Sequence, residues 1–208
     1  LQAATHLNYI SGVYFDSKGG LYFRAADGSD KVYGINDTTA EGVSAREAFS
    51  KGLENLRAYT DAKIVVTFLG NINNGTGEEM GTEERHNTAM TGAASDVLTE
   101  NILAFVGEFG FDGVSFDYEY PSAASSFENF TGYLEKLHTA MDGKFGAGEK
   151  LLTAAISEWQ LGTASFTPEN LDILDRIEVM AYDLFDDHGN HSSFYSACYL
   201  LIGQLEEK

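Results

Sequence analysis

Two carboxylates stand two residues apart in the stretch FDGVSFDYEYP, residues 111–121. After an Asp-Gly turn signal the stretch alternates as a strand does, so Ser115, Asp117 and Glu119 fall on one face. Residues i and i+2 of a strand have Cα atoms about 6.5 Å apart, so longer side chains can meet. Two carboxylates that close cannot both ionise without cost, and one of them keeps its proton at a raised pKa.

A protonated glutamate beside an ionised aspartate is the pair that general acid catalysis at a glycosidic oxygen requires. The opposite face of the strand is aromatic and apolar, and a proline ends it: Val114, Phe116, Tyr118, Tyr120 and Pro121. The alternative interpretation is a pair of solvated acids at a strand end. The residue pattern alone leaves both interpretations open.

Strands and helices alternate along the chain and must position this row of acids. Apolar or alternating runs bounded by turn residues predict strands. They lie at His6–Phe15, Gly20–Ala25, Lys63–Gly70, residues 111–121, Lys150–Trp159 and Asp175–Leu184. The polar, Gly-rich residues 71–85 between two of these elements predict a surface loop.

Helices are predicted between the strands from apolar spacing and capping residues. Ser44 with Glu47 three residues later is typical of a capping box at a helix start. Further helices are expected at Thr88–Phe109, at Phe127–Met141, from Pro168 at a first helical position, and in the last segment, residues 196–208.

This β/α alternation predicts an α/β fold with a parallel sheet and right-handed crossovers. No linker divides the chain, so residues 1–208 are expected to form a single domain. A doubly wound sheet and a (β/α) barrel remain open, because a complete barrel needs eight units and this chain supplies about five. A dinucleotide-binding fold is disfavoured, since no Gly-x-Gly-x-x-Gly follows any predicted strand.

The formal net charge of −19 argues against nucleic acid and anionic membranes as partners. No apolar run of about 18 residues predicts membrane insertion. The single cysteine, Cys198, excludes an internal disulfide and a Cys-based zinc site. The cluster DDHGNH, with Asp186, Asp187, His188 and His191, is interpreted as solvated polar residues rather than a metal site. The same interpretation applies to His6, His86 and His138.

The stretch FDGVSFDYEYP resembles the strand-four signature of glycoside hydrolase family 18, the chitinases and endo-β-N-acetylglucosaminidases. That signature is Asp-Gly-x-Asp-x-Asp-x-Glu, commonly followed by Tyr-Pro. A second family motif, Met-x-Tyr-Asp on strand six, is matched by Met180, Tyr182 and Asp183. The resemblance implies a (β/α)8 TIM barrel. With THLNYI in the place of the second strand, this chain would supply about strands 2 to 6, an incomplete barrel.

The resemblance also implies an activity: retaining, substrate-assisted hydrolysis of β-1,4 N-acetylglucosaminide bonds, with neither metal nor cofactor. Glu119 would protonate the leaving oxygen and then activate water. Asp117 would orient the acetamido N–H, and Tyr182 would hold the acetamido carbonyl. Asp183 and Met180 would line the sugar subsite.

Ser115 departs from the family pattern, which usually has a third carboxylate at this position. A serine can still hydrogen-bond Asp117, and we expect an altered pH dependence. Tyr120 is expected at the substrate site as well. Trp159 is interpreted either as a sugar-stacking platform or as local core packing.

The substrate and the class of function remain open. Chitin, chitooligosaccharides and the N-glycan core all contain the bond, and the Tyr-Pro after Glu119 favours chitin. A carbohydrate-binding relative without catalysis is the other class, although such relatives typically lose the glutamate. The resemblance implies a secreted protein, and the N-terminus, which lacks signal-peptide features, is compatible with a mature form. The oligomeric state is left open.

Overall fold

The computed structural model of the protein describes residues 4–69, 82–157, 160 and 166–180. The strands are β1 (His6–Phe15), β2 (Leu21–Arg24), β3 (Val32–Gly34), β4 (Lys63–Leu69), β5 (Gly113–Asp117), β6 (Leu151–Ile156) and β7 (Arg176–Val179). The helices are α1 (Ala40–Arg57), α2 (Thr82–Ala89), α3 (Gly92–Phe109), α4 (Ala124–Phe145) and α5 (Pro168–Leu171).

The seven strands form one sheet in the order β3-β2-β1-β4-β5-β6-β7. Strands β1, β4, β5, β6 and β7 run parallel to their neighbours, while β2 and β3 add an antiparallel ribbon at one edge. Within the part of the chain that the structure describes, the strands do not close into a barrel. The α/β class and the five parallel strands were predicted and are confirmed.

The sheet is buried because its strands are apolar on the side that faces the helices. Val66, Phe68, Val114 and Phe116 are each 1% exposed or less and belong to the main core. Helix α3 covers them with a stripe of apolar residues at helical spacing, including Leu98, Ile102, Phe105 and Val106. The other side of the central strands carries small polar residues, which are also buried: Thr67, Ser115 and Thr153.

Helix α1 begins four residues before the predicted start. Thr39 is the N-cap: its backbone is extended, and its hydroxyl accepts a hydrogen bond from the Gly42 N–H at 3.2 Å. Ser44 therefore lies inside the helix, and the predicted capping box at Ser44 and Glu47 is wrong. The short strand β3 was also missed, since no strand was predicted between Gly20–Ala25 and Lys63–Gly70.

The helix predicted at Thr88–Phe109 is two helices, α2 and α3. The chain leaves the helical conformation at Thr91, which has φ −128° and ψ 162°, and passes through a positive φ of 54° at Gly92. L side chains rarely adopt this conformation, so the glycine permits the break. Helix α2 also begins at Thr82, inside the stretch predicted as a loop; residues 70–81 lie outside the described part.

Candidate active site

Strand β5 starts from a point that is fixed to both neighbouring strands. The Asp112 carboxylate accepts a hydrogen bond from the Ile64 N–H at 2.8 Å, and its main chain bonds Ile64 and Leu151. A Cβ on Gly113 would lie 2.2 Å from the Leu151 carbonyl oxygen, so the close approach of β5 and β6 requires glycine there. The Asp-Gly pair thus anchors the strand that carries the acids.

Asp117 is the last residue of β5, and Glu119 follows in the segment just beyond. The strand ends before the predicted boundary, and the peptide between Glu119 and Tyr120 is cis. Asp117 is partly buried, whereas Glu119 is exposed. The acids therefore lie at the carboxyl end of a central parallel strand, where barrel and doubly wound folds place their chemistry.

Asp117 is the member of the pair whose pKa is shifted. Burial raises the pKa of Asp117 to about 6, with smaller contributions from the charge of Glu119, a hydrogen bond with Glu119 and the charge of Glu178. Its Oδ1 atom is buried and has no hydrogen-bond partner among the described residues. A buried acceptor without a partner is costly, so this atom is suited to a donor on a ligand.

Tyr118, between the two acids, anchors the segment to the helices. Its ring stacks on His86 with centroids 3.8 Å apart and an interplanar angle of 2°, and packs edge-on against Phe130 at 5.4 Å. His86 is 1% exposed, and burial lowers its pKa to about 4. The prediction that His86 is a solvated polar residue is therefore wrong; His6 and His138 are partly buried.

Glu83 of α2 holds the chain immediately after the acids. Its carboxylate accepts hydrogen bonds from the Ser122 N–H at 2.7 Å, the Ser122 hydroxyl at 2.6 Å and the Ala123 N–H at 2.9 Å. The Ser122 hydroxyl contributes most to lowering the pKa of Glu83 to about 2, followed by the nearby Ser126 hydroxyl and the two main-chain N–H groups. Sequence reasoning placed Glu83 in a loop and missed this role.

Ser115 is fully buried, as expected for a residue inside the row, but its hydroxyl does not bond Asp117. It lies 3.4 and 3.3 Å from the two carboxylate oxygens of Glu178 on β7. The expectation of a Ser115–Asp117 hydrogen bond is therefore wrong, because the glutamate reaches the serine from across the sheet. Sequence reasoning treated Glu178 only as part of a strand; its single signal was an acidic residue within the otherwise apolar stretch IEVM.

Glu178 also accepts hydrogen bonds from Thr153 Oγ1 at 2.7 Å and from Asn8 Nδ2. Asn8 lies on β1, so the sheet curves enough for side chains of β1 and β7 to meet. The result is a polar cluster from four strands, Asn8, Ser115, Thr153 and Glu178, lying alongside Asp117.

The remaining predicted residues divide into two groups. Met180 is 8% exposed just after β7, where its N–H bonds the Ile156 carbonyl, and Tyr120 is 38% exposed beyond Glu119. Tyr182, Asp183 and Trp159 lie outside the described residues. The DDHGNH cluster and the last predicted helix do so as well.

The described residues also bear on two other kinds of site. In those ranges, no helix is both long and apolar enough to span a membrane. Within the same ranges, no group of three or more His, Cys, Asp or Glu side chains is arranged to hold a metal ion.

The parallel strands, with a pair of acids at the carboxyl end of a central strand, match the arrangement in which α/β-barrel enzymes place their chemistry. Residues 2–205 match the family model "Glycosyl hydrolases family 18", and the chain belongs to that family. It is 28% identical over 151 residues to a probable endochitinase of Caenorhabditis elegans, covering 69% of this chain and 24% of the relative. It is 29% identical over 106 residues to an endochitinase of Manduca sexta, covering 48% of this chain and 19% of the relative.

Solved chitinases share the fold. The chitinase ChiB of Flavobacterium johnsoniae superposes with a TM-score of 0.66 at 21% identity, over 98% of this chain and 56% of that one. A class V chitinase of tobacco gives 0.61 at 19% identity, over 96% and 56%, and a variant of it was solved in complex with NAG4. The chain thus spans about half the length of these solved chitinases and about a quarter or less of the two curated relatives.

Proposed function

We propose that this chain carries the acid–base machinery of a retaining, substrate-assisted glycosidase that cleaves β-1,4 N-acetylglucosaminide bonds in chitin or chitooligosaccharides. The observation that carries the proposal is the Asp117–Glu119 pair at the carboxyl end of β5. The pKa of Asp117 is raised, and one of its carboxylate oxygens is buried with no partner in the part of the chain that the structure describes. Membership of the family and likeness to chitinases support the choice of substrate.

The exposed Glu119 is placed to act on a bond that arrives from solvent. In the first step its carboxyl proton passes to the glycosidic oxygen as the bond from that oxygen to the anomeric carbon breaks. The 2-acetamido oxygen of the same sugar attacks the anomeric carbon and gives an oxazolinium-like intermediate. No protein–sugar bond forms, so the positive charge that develops on the acetamido group needs stabilisation by the protein.

Asp117 would supply that stabilisation. Its buried Oδ1 would accept the acetamido N–H, a donor that the described residues do not provide. We expect the two neighbouring carboxyls to share one proton, because the proximity of Glu119 contributes to the raised pKa of Asp117. As Glu119 gives that proton to the leaving oxygen, both carboxyls are left ionised, and the negative charge of Asp117 stabilises the positive charge that develops on the acetamido group.

In the second step the roles reverse. Glu119 takes a proton from water, and the water oxygen attacks the anomeric carbon from the face that the leaving group vacated. The bond to the acetamido oxygen breaks, and the product keeps the configuration of the substrate. Tyr182 and Asp183 are proposed to hold the acetamido carbonyl and the sugar, with Met180, Tyr120 and Trp159 around the subsite. A polymer substrate such as chitin implies action outside the cell.

The test is hydrolysis of a chitooligosaccharide and of a high-mannose glycopeptide by the protein and by Glu119→Gln. We expect cleavage of the chitooligosaccharide and a loss in kcat of roughly 10²- to 10⁴-fold in the variant, the usual contribution of a general acid. Glu135→Gln, at an exposed site on α4, is the matched control and should retain full activity.

The other outcomes separate the alternatives. Cleavage of the glycopeptide alone would make the protein an endo-β-N-acetylglucosaminidase. Binding of either sugar without cleavage would make it a carbohydrate-binding relative. Equal activity in Glu119→Gln and the parent protein would show that the acid lies elsewhere.

A further inference from the structure

Glu178 is a carboxylate held in one place without a role in the mechanism above. Neutral donors on three other strands fix it: Asn8 on β1, Ser115 on β5 and Thr153 on β6. Among the described residues, no lysine or arginine forms an ion pair with it. Neutral dipoles therefore orient its negative charge, no cation pairs with it in the described ranges, and its field can act on a neighbouring carboxyl.

The strand register brings this charge level with the catalytic pair. Asp117 lies opposite Ala155, and Ala155 lies opposite Glu178. Neighbouring strands are about 4.8 Å apart, so the three side chains form one row across two strand spacings. Ala155 is too small to fill the space between the acids, and Leu69, on the other side of Asp117, carries no charge.

Two other polar groups lie near this row, and neither supplies a charge that acts on Asp117. Tyr14 of β1 lies in the same row beyond Leu69, and burial raises its pKa, so its phenol stays neutral. Arg176 precedes Glu178 by two residues on β7, and its charge acts on His6 at the other end of β1. The charges that act on Asp117 within the described ranges are those of Glu119 and Glu178.

We propose that Glu178 is a positioning residue: its fixed negative charge keeps one proton shared between Asp117 and Glu119, so that the pair enters the reaction with the proton that the leaving oxygen requires. The proposal rests on the proposed function, since it assigns that proton to the same pair. Ser115 then serves as a donor to Glu178, which explains why it faces β7 rather than Asp117.

The first measurement is a carboxyl ¹³C NMR titration of Asp117 in the parent protein and in Glu178→Gln, which needs no substrate. Removing one like charge should lower the titration midpoint of Asp117 by about one pH unit. Glu135→Gln, exposed on the outer helix α4, is the control and should leave that midpoint unchanged.

The second measurement is the pH–rate profile on a chitooligosaccharide. In Glu178→Gln the alkaline limb should move to lower pH by a similar amount, because the pair loses its shared proton earlier. Glu178→Gln combined with Ser115→Asp should move it back. Position 115 contacts the Glu178 carboxylate directly, so an aspartate there returns the charge to nearly the same place.

The outcomes are distinct. A lowered melting temperature in Glu178→Gln with an unmoved Asp117 midpoint would make Glu178 a purely structural residue and overturn the proposal. Should that variant fail to fold, Glu178→Asp moves the charge by one methylene and should shift the midpoint less, in the same direction; no shift would again overturn it. If the parent protein cleaves no substrate, the proposed function fails, and the titration still decides whether Glu178 controls the proton.

Discussion

Asp112 and Asp117 stand at the two ends of β5, and the fold surrounds them differently. Asp112 has a donor for its carboxylate, and its backbone N–H and carbonyl bond the two neighbouring strands. Asp175, before β7, makes the same kind of bond to Leu152. Asp117 instead keeps one carboxylate oxygen buried without a partner among the described residues, with its pKa raised to about 6.

The difference separates two uses of one residue type. An aspartate whose acceptors are matched to main-chain donors stabilises the fold and has little capacity left for a ligand. An aspartate that is partly buried beside other acids lowers the stability of the fold, and the rest of the structure must offset that loss. Residues of this kind are typical of functional sites. The amino end of the strand is therefore the structural end, and the carboxyl end is the reactive one.

The largest loss of stability is expected from Gly113→Ala, at the amino end of β5. The new Cβ would meet the Leu151 main chain at 2.2 Å, which only a backbone shift relieves, so the free energy of unfolding should fall by about 3 kcal/mol or more. Urea unfolding measures it. Gly132→Ala on α4, where a Cβ meets nothing within 4 Å, is the control and should gain up to about 1 kcal/mol. An equal change in the free energy of unfolding at both positions would contradict the conclusion that the start of β5 is fixed by its close approach to β6.

A smaller loss is expected from Asp112→Ala and its counterpart Asp175→Ala. Each removes the acceptor of one main-chain N–H, of Ile64 or Leu152, and an unsatisfied buried donor costs about 1–3 kcal/mol. The pH–rate profile of both variants should match that of the parent protein. A shifted profile in Asp112→Ala would break the division between the two ends of β5.

The smallest effect is expected from Glu83→Gln, and it depends on pH. Because the folded-state pKa of Glu83 is about 2, below its ordinary value of 4.5, its stabilisation is fully present above pH 4.5 and is lost as pH falls toward 2. Glu83→Gln should lower the melting temperature at pH 6 and lose less stability between pH 4.5 and 2 than the parent protein. Melting curves of Glu84→Gln, its exposed neighbour, provide the control; parallel curves for all three would contradict the role of Glu83.

Apolar spacing and turn residues predicted the elements whose conformation is decided by residues close together in the sequence. The apolar run at β4, the alternating stretch at β1 and the helical stripe of α4 were each found, and Pro168 does begin α5. The errors occurred where two local signals compete. Thr39 and Ser44 are both of residue types that commonly cap helices, and in the structure Thr39 is the N-cap of α1.

The pair of Asp117 and Glu119 could be found from spacing alone, because the two acids are only two residues apart in the sequence, although the strand ends at the first of them. The partners of that pair could not. Glu178 comes 61 positions after Asp117, and Asn8 contacts Glu178 across 170 positions. Glu83 and His86 likewise reach the segment from a separate helix.

The sequence by itself determined the strand-and-helix order, the pair of acids and the family. It did so because side-chain spacing and turn residues act over a few positions. The tertiary structure decided which acid has a raised pKa and which side chains hold the segment around it. The physical reason is that burial and charge at a site depend on what other strands and helices bring within a few ångströms, and that distance is set by the strand register and not by distance along the chain.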